Sequence, residues 1–135
     1  LEDMGLALAI RNLAKDAASR APFEIRIDIP DILPELPPDV EQCVFRIAQE
    51  SLENIVRHAN ANRVKLRLGI ETNRFQMEIS DDGRGFDVEK MKTSIGHGIA
   101  NMQTRVHAVG GEVDISSSVG EGTTILVWVP RTIRQ

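Results

Sequence analysis

Cysteine is almost absent from this sequence: Cys43 is the only one in 135 residues, which excludes an intrachain disulfide and a thiolate cluster for zinc or iron–sulfur. A reduced, cytoplasmic setting is the simplest expectation. Long apolar runs are missing as well. No stretch approaches the ~20 residues that span a bilayer, and no signal-peptide pattern opens the chain. Leu1 reads as a boundary within a longer protein, so any membrane anchor of the parent is expected outside these residues. An excess of positive charge is also lacking. Sixteen Lys and Arg stand against 20 Asp and Glu, for a net charge of -4 with the signs interspersed. Nucleic-acid and anionic-membrane binders rest on basic patches that neutralise phosphates, so both classes are disfavoured. No internal repeat or low-complexity tract is present.

What remains is an ordinary globular balance, 41% hydrophobic and 27% charged, at a length suited to one core. Residues 4–20 repeat apolar side chains at helical spacing (Leu6, Ile10, Leu13, Ala17), and Pro22 stops that helix. Residues 23–29 alternate, with Phe23, Ile25, Ile27 and Ile29 on one face of a half-buried strand. Four prolines make 30–38 a stiff loop, and Pro38 suits the first turn of the helix that follows. That helix is expected over 38–59, with Val40, Val44, Ile47, Ser51, Leu52 and Ile55 facing inward. Residues 63–70 and 74–80 read as a hairpin turning at Thr72-Asn73. A loop over 81–98, a helix over 99–109 stopped by Gly110-Gly111, and strands at 112–118 and 123–129 complete the chain. The mixture predicts an α+β fold: a two-layer sandwich with helices on one face of a mixed, largely antiparallel sheet. Residues 1–22 are expected to be a connecting segment and first helix, and 23–135 the functional domain.

Three segments carry candidate chemistry. In the first, Glu50, Asn54, Arg57 and His58 fall at i, i+4, i+7 and i+8, one face of a helix. That face offers a carboxylate, an amide oxygen able to ligate a metal and two phosphate donors. Mg²⁺ takes one or two protein oxygens and fills its octahedron with water and phosphate, a role that suits Asn54. A solvated polar face is the plainer alternative. In the second, Asp81-Asp82-Gly83-Arg84-Gly85-Phe86 follows a strand. An acid there can accept a hydrogen bond from an exocyclic amine, and glycines let backbone approach a flat ligand. Asp and Gly also end strands in ordinary turns. In the third, Gly96-His97-Gly98-Ile99 precedes a helix whose N-terminus can hold an anion. It has neither the GK[ST] of a P-loop nor the third glycine of a dinucleotide fold, and alone it is weak.

In this order and separation the three resemble the N, G1 and G2 boxes of the GHKL ATPases: DNA gyrase, Hsp90-type heat-shock chaperones, MutL repair proteins and sensor histidine kinases. Gly120-Glu121-Gly122-Thr123-Thr124 before an apolar strand resembles the family's last nucleotide-binding element. The likeness covers about residues 23–130. Residues 46–61 (RIAQESLENIVRHANA), with GHGIANMQTRVHAVGGEVDISSSVGEGTTILVWVP, look like the histidine kinases of the NarL/DesK type.

The resemblance implies ATP with Mg²⁺ as ligands. Asn54 would coordinate the ion, Glu50 would stand where ATP-hydrolysing relatives keep a general base, and Arg57 and His58 would reach toward phosphates. Asp81 would bind the adenine amine with Gly83 and Gly85 shaping the base pocket, and Thr123 would support that end. Gly96, Gly98 and the N–H of Ile99 would hold the phosphates. Residues 86–96 would form a short lid in which Lys90 and Lys92 add charge. None of His58, His97 and His107 precedes an acid, as a phosphoacceptor of this family does. The implied function is therefore transfer of the γ-phosphoryl group of ATP to a histidine on a separate dimerisation domain, with a response regulator downstream. The isolated domain is expected to be monomeric with little autophosphorylation, and the whole protein a homodimer. An anti-sigma-type serine kinase and a non-catalytic nucleotide-binding module are the alternatives. Cys43 and Trp128 are expected to pack.

Overall fold

The computed structural model describes residues 5–31, 33, 35–70, 74–85 and 97–130. Its elements are α1 (Gly5–Arg20), β1 (Glu24–Asp28), α2 (Pro38–Asn54), a π-helical turn (Ile55–Ala59), β2 (Arg63–Ile70), β3 (Arg74–Asp81), α3 (His97–Ala108), β4 (Glu112–Ser117) and β5 (Thr123–Pro130). The five strands form one sheet in the order β1-β2-β3-β5-β4. β1 runs parallel to β2, and the other pairings are antiparallel. The mixed, largely antiparallel sheet with helices on one side matches the expected class.

Register explains which side the helices take. Ile27, Leu66, Ile79, Ile125 and Ile115 align across the sheet, and Leu68, Met77, Val127 and Val113 form the next row. Alternation puts these rows on one face, and Leu66, Met77, Ile79 and Val127 are fully buried there. α2 lies over β3 and β5, α1 over β1 and α3 over β4. The inward stripe of α2, Val40, Val44, Ile47, Ser51 and Leu52, is buried, as is Ile55 in the turn that follows. Each large side chain so buried contributes about 1.5–3 kcal/mol. The opposite face is polar, carrying Lys65 beside Ser80 and Arg67 beside Glu78. Trp128 packs at that face beneath the Arg74 guanidinium, 5.6 Å from the ring centre.

α1 shares this core. Leu6, Ile10, Ala14 and Ala17 are buried with the sheet residues in a single cluster. Small side chains at three buried positions, Ala9, Ala14 and Ala17, let α1 approach α2 closely. α3 ends as the double glycine requires: the Gly111 N–H donates to the Val106 carbonyl at 2.9 Å and the Gly110 N–H to that of His107 at 3.1 Å, the two bonds of a Schellman cap. The long helix differs from expectation. α-Helical geometry stops at Asn54, and residues 55–59 widen into a π turn that ends with Asn60 in the left-handed region at φ 50°. Sequence periodicity carries no signal for this, because the apolar positions continue unbroken. Such turns recur at functional sites. Thr72-Asn73 and the segment 86–96 lie outside the described residues.

Candidate nucleotide-binding site

The polar face of α2 opens onto a cleft of about 410 Å³ lined by Arg46, Gln49, Glu50, Glu53, Asn54, Arg57 and Arg105. Glu50 and Asn54 stand one helical turn apart, and Arg57 joins them from the π turn. Arg105 enters from α3, which packs against α2. The donors are oxygens and guanidinium groups. That set suits a hard cation and phosphate. Among the described residues no group of three His, Cys, Asp or Glu could hold a metal. An ion at Asn54 would therefore draw most of its ligands from phosphate and water. His58 is exposed and is not one of the lining residues.

A second cluster forms where the helix-facing side of the sheet changes character. One row, Ile25, Val64, Asp81, Thr123 and Ser117, has an apolar half and a polar half. Asp81 is half-buried there, and its Oδ1 accepts the Gly83 N–H at 2.8 Å. Burial pushes its carboxyl above the usual carboxylate range, against the pull of the Gly83 N–H. The adjacent Asp82 charge pushes the same way as burial, and the Thr123 N–H opposes both. Thr123 spends its hydroxyl on Ser117, 2.8 Å away, so its own contribution beside Asp81 is structural as well as polar. Asp81 is not among the residues lining the α2 cleft.

Asp82 has a different task. Its Oδ1 accepts the N–H groups of Asn62 and Arg63, both at 2.9 Å, while its own N–H donates to the Arg63 carbonyl at 3.2 Å. These bonds, the one from Arg63 first, hold its carboxyl below the usual range. Asp82 thus clamps the start of β2 to the end of β3, and Asp81 is left as the acid on the helix side.

The glycines of this cluster serve close backbone packing. Gly85 has φ 63°, and a Cβ there would lie 2.1 Å from the Ser118 carbonyl oxygen. Gly122 has φ 83°, and its Cβ would lie 2.1 Å from the Asp81 carbonyl oxygen. The Gly120 N–H donates to the Arg84 carbonyl. The loop after β3 and the turn before β5 are therefore fitted to each other around Asp81. Gly83 is buried beside them. Gly98 and Ile99 lie inside the first turn of α3, which begins at His97 rather than after the glycine pair. The Ile99 N–H is still one of the four at a helix start that have no intrahelical partner. Gly96, Lys90 and Lys92 lie outside the described residues.

Residues 39–133 match the family of histidine kinase-, DNA gyrase B- and HSP90-like ATPases. The chain belongs to this family. Its relatives within the ATPase family include the sensor histidine kinase LiaS of Bacillus subtilis, 35% identical over 130 residues, covering 96% of this chain and 35% of LiaS. The sensor histidine kinase MctS of Rhizobium johnstonii is 34% identical, over 98% of this chain and 29% of its own length. The sensor protein VraS of Staphylococcus haemolyticus is 34% identical, over 96% and 36%. This ATPase domain thus spans about a third of the curated relatives it matches. Among solved structures, full-length ShkA in complex with AMPPNP superposes with a TM-score of 0.78 at 20% identity, over 98% of this chain and 31% of that one. The Acinetobacter baumannii histidine kinase AdeS gives 0.75 at 14% identity, over 95% and 64%. At such identities the superpositions establish the fold, a GHKL ATP-binding fold with helices on one sheet face.

Two functional features escaped sequence reasoning. Glu53 was assigned no role, yet it lines the cleft and binds Arg57 at 3.1 Å. Arg105 was likewise assigned no role within the helix expected over 99–109, and its approach to α2 depends on α3 packing, for which no local signal exists.

Proposed function

We propose that this domain binds Mg²⁺·ATP and supplies its γ-phosphoryl group to a histidine on a separate dimerisation domain of the same protein, as the catalytic domain of a sensor histidine kinase. The observation that carries this reading is the convergence of Glu50, Asn54 and Arg57 on one cleft, with a half-buried acid at the polar end of the neighbouring sheet. When bound, the ion neutralises phosphate charge and aligns the phosphoryl group for transfer. Asn54 would hold it through the amide oxygen. Arg57, with Gly96, Gly98 and the N–H of Ile99 at the start of α3, would hold phosphate oxygens, and His58 at the end of the π turn would lie toward them. Asp81 would accept the exocyclic amine of adenine. Its two backbone donors keep the carboxylate oriented, and Gly83, Gly85 and Thr123 bound the place where the ring would lie. Glu50, one turn before Asn54, is the candidate to orient or deprotonate the incoming nucleophile. A response regulator would receive the phosphoryl group downstream, and the domain would work on the cytoplasmic side.

Calorimetric titration with a non-hydrolysable ATP analogue, with and without Mg²⁺, tests the pocket. The wild-type chain should bind with Mg²⁺-dependent affinity, and Asn54→Ala should lose the dependence. An Asn54→Ala chain whose binding still responds to Mg²⁺ refutes the metal assignment. Adding a histidine-containing dimerisation domain with ATP tests transfer: phosphohistidine should form only in the mixture.

A further inference from the structure

Glu53 sits between two arginines from different helices. Its Oε1 accepts Arg57 Nε at 3.1 Å, and its Oε2 accepts Arg20 Nη2 at 2.9 Å, with Arg20 Nη1 3.4 Å from Oε1. Arg20 is the last residue of α1 and is itself held by Asp16 through Nε at 3.1 Å. A line of charge, Asp16–Arg20–Glu53–Arg57, therefore runs from α1 across α2 to the rim of the cleft. Exposed ion pairs of this kind add little to folding stability. What they fix is direction. An arginine has five donors in a rigid fork, and engaging Nε sets the plane of the guanidinium while its two Nη groups remain the ones to meet a phosphate. The Arg57 side chain is 66% exposed, so without Glu53 it would sample many rotamers. The Glu53 carboxyl is drawn below its usual range, first by the hydrogen bond from Arg20, and so stays charged at neutral pH.

We infer that Glu53 is a positioning residue that aims the Arg57 guanidinium at the terminal phosphate of a nucleoside triphosphate, and that Arg20 braces it from α1. This inference rests on the nucleotide-binding reading above. It makes the seating of α1 an input to phosphate binding: displacing the end of that helix releases Glu53, and Arg57 with it.

The test is titration of the intact chain with a non-hydrolysable ATP analogue and with ADP, both in Mg²⁺. Glu53→Gln should weaken the triphosphate by about fivefold to tenfold and the diphosphate by less, a step typical of one charge-assisted contact. The thermal midpoint without nucleotide should stay unchanged. Arg20→Ala should give a smaller loss, about twofold to threefold. In the Arg57→Ala background Glu53→Gln should have no further effect, because the residue it positions is gone. Equal affinity of Glu53→Gln and wild type for the triphosphate overturns the inference, as does a full additive loss in the double variant. Asp81→Asn separates the two levels. If it abolishes binding while Glu53→Gln does nothing, only the positioning role falls; if it leaves binding intact, the nucleotide reading falls with it.

Discussion

Leu66, Ile79 and Ile125 make one row across the helix-facing side of the sheet, and two residues along the strands Val64, Asp81, Thr123 and Ser117 make another. The first row excludes water beneath α2. The second ends the core with a half-buried carboxylate and two hydroxyls joined at 2.8 Å. The same two-residue period that delivers isoleucines to the core delivers Asp81 to the same face. The acid proposed to bind adenine is thus the core pattern continued one step past its edge, where a charge can still be solvated on one side. The neighbouring Asp82 sharpens the contrast. Shifted by one residue, it ties two strand ends together, and its carboxyl is pulled in the opposite direction from that of Asp81.

Substitutions can break this contrast between packing and binding. Phe75 is fully buried in the apolar part, and Phe75→Ala should cost about 3–5 kcal/mol in urea unfolding. Its folded fraction should still bind nucleotide. Gly122→Ala strikes both parts. Its left-handed backbone alone costs about 1–3 kcal/mol, and the new Cβ meets the Asp81 carbonyl. Melting temperature and ATP affinity should fall together.

Asp82→Ala should lower stability by about 1 kcal/mol at neutral pH, less than the usual contribution of hydrogen bonds to a charged group because solvent screens this exposed carboxylate. Its carboxyl lies below the usual range in the folded chain, so this contribution is present above the unfolded pKa and fades as pH falls through the folded one. Unfolding curves of variant and wild type should converge in acid; a constant gap would argue against the clamp.

Asp81→Asn should change stability least, by less than about 1 kcal/mol at any pH. Here the sign reverses. The folded carboxyl is raised, so ionising it costs stability as pH rises through the unfolded and then the folded pKa. A neutral amide removes that cost, and the variant should gain on wild type between acid and neutral pH. It should nonetheless lose nucleotide binding, the signature of a residue kept for its ligand. A variant that melts early and still binds ATP would reverse the assignment.

Much of this was legible in the chain. Alternation located the first three strands, the stretches either side of the turn at 119–122 gave the last two, Pro22 and Pro38 marked a helix stop and a helix start, and Gly110-Gly111 marked a real cap. Spacing alone put Glu50, Asn54 and Arg57 on one helix face. The π turn was not legible, since Ile55 continues the apolar stripe whether the backbone is α or π. Nor was the clamp made by Asp82: the resemblance singled out Asp81, but only strand register brings the Asn62 and Arg63 N–H groups to its neighbour.

The sequence by itself determined the element types, the inward faces and the residue kinds available for nucleotide chemistry, because helical and strand periods, proline and glycine act within a few residues. Tertiary structure alone decided which side chains meet: Arg105 reaching the α2 cleft, Glu53 held between Arg20 and Arg57, Gly122 against the Asp81 backbone. Those contacts join residues far apart in the chain, and their geometry depends on strand order and helix packing, which no local preference encodes.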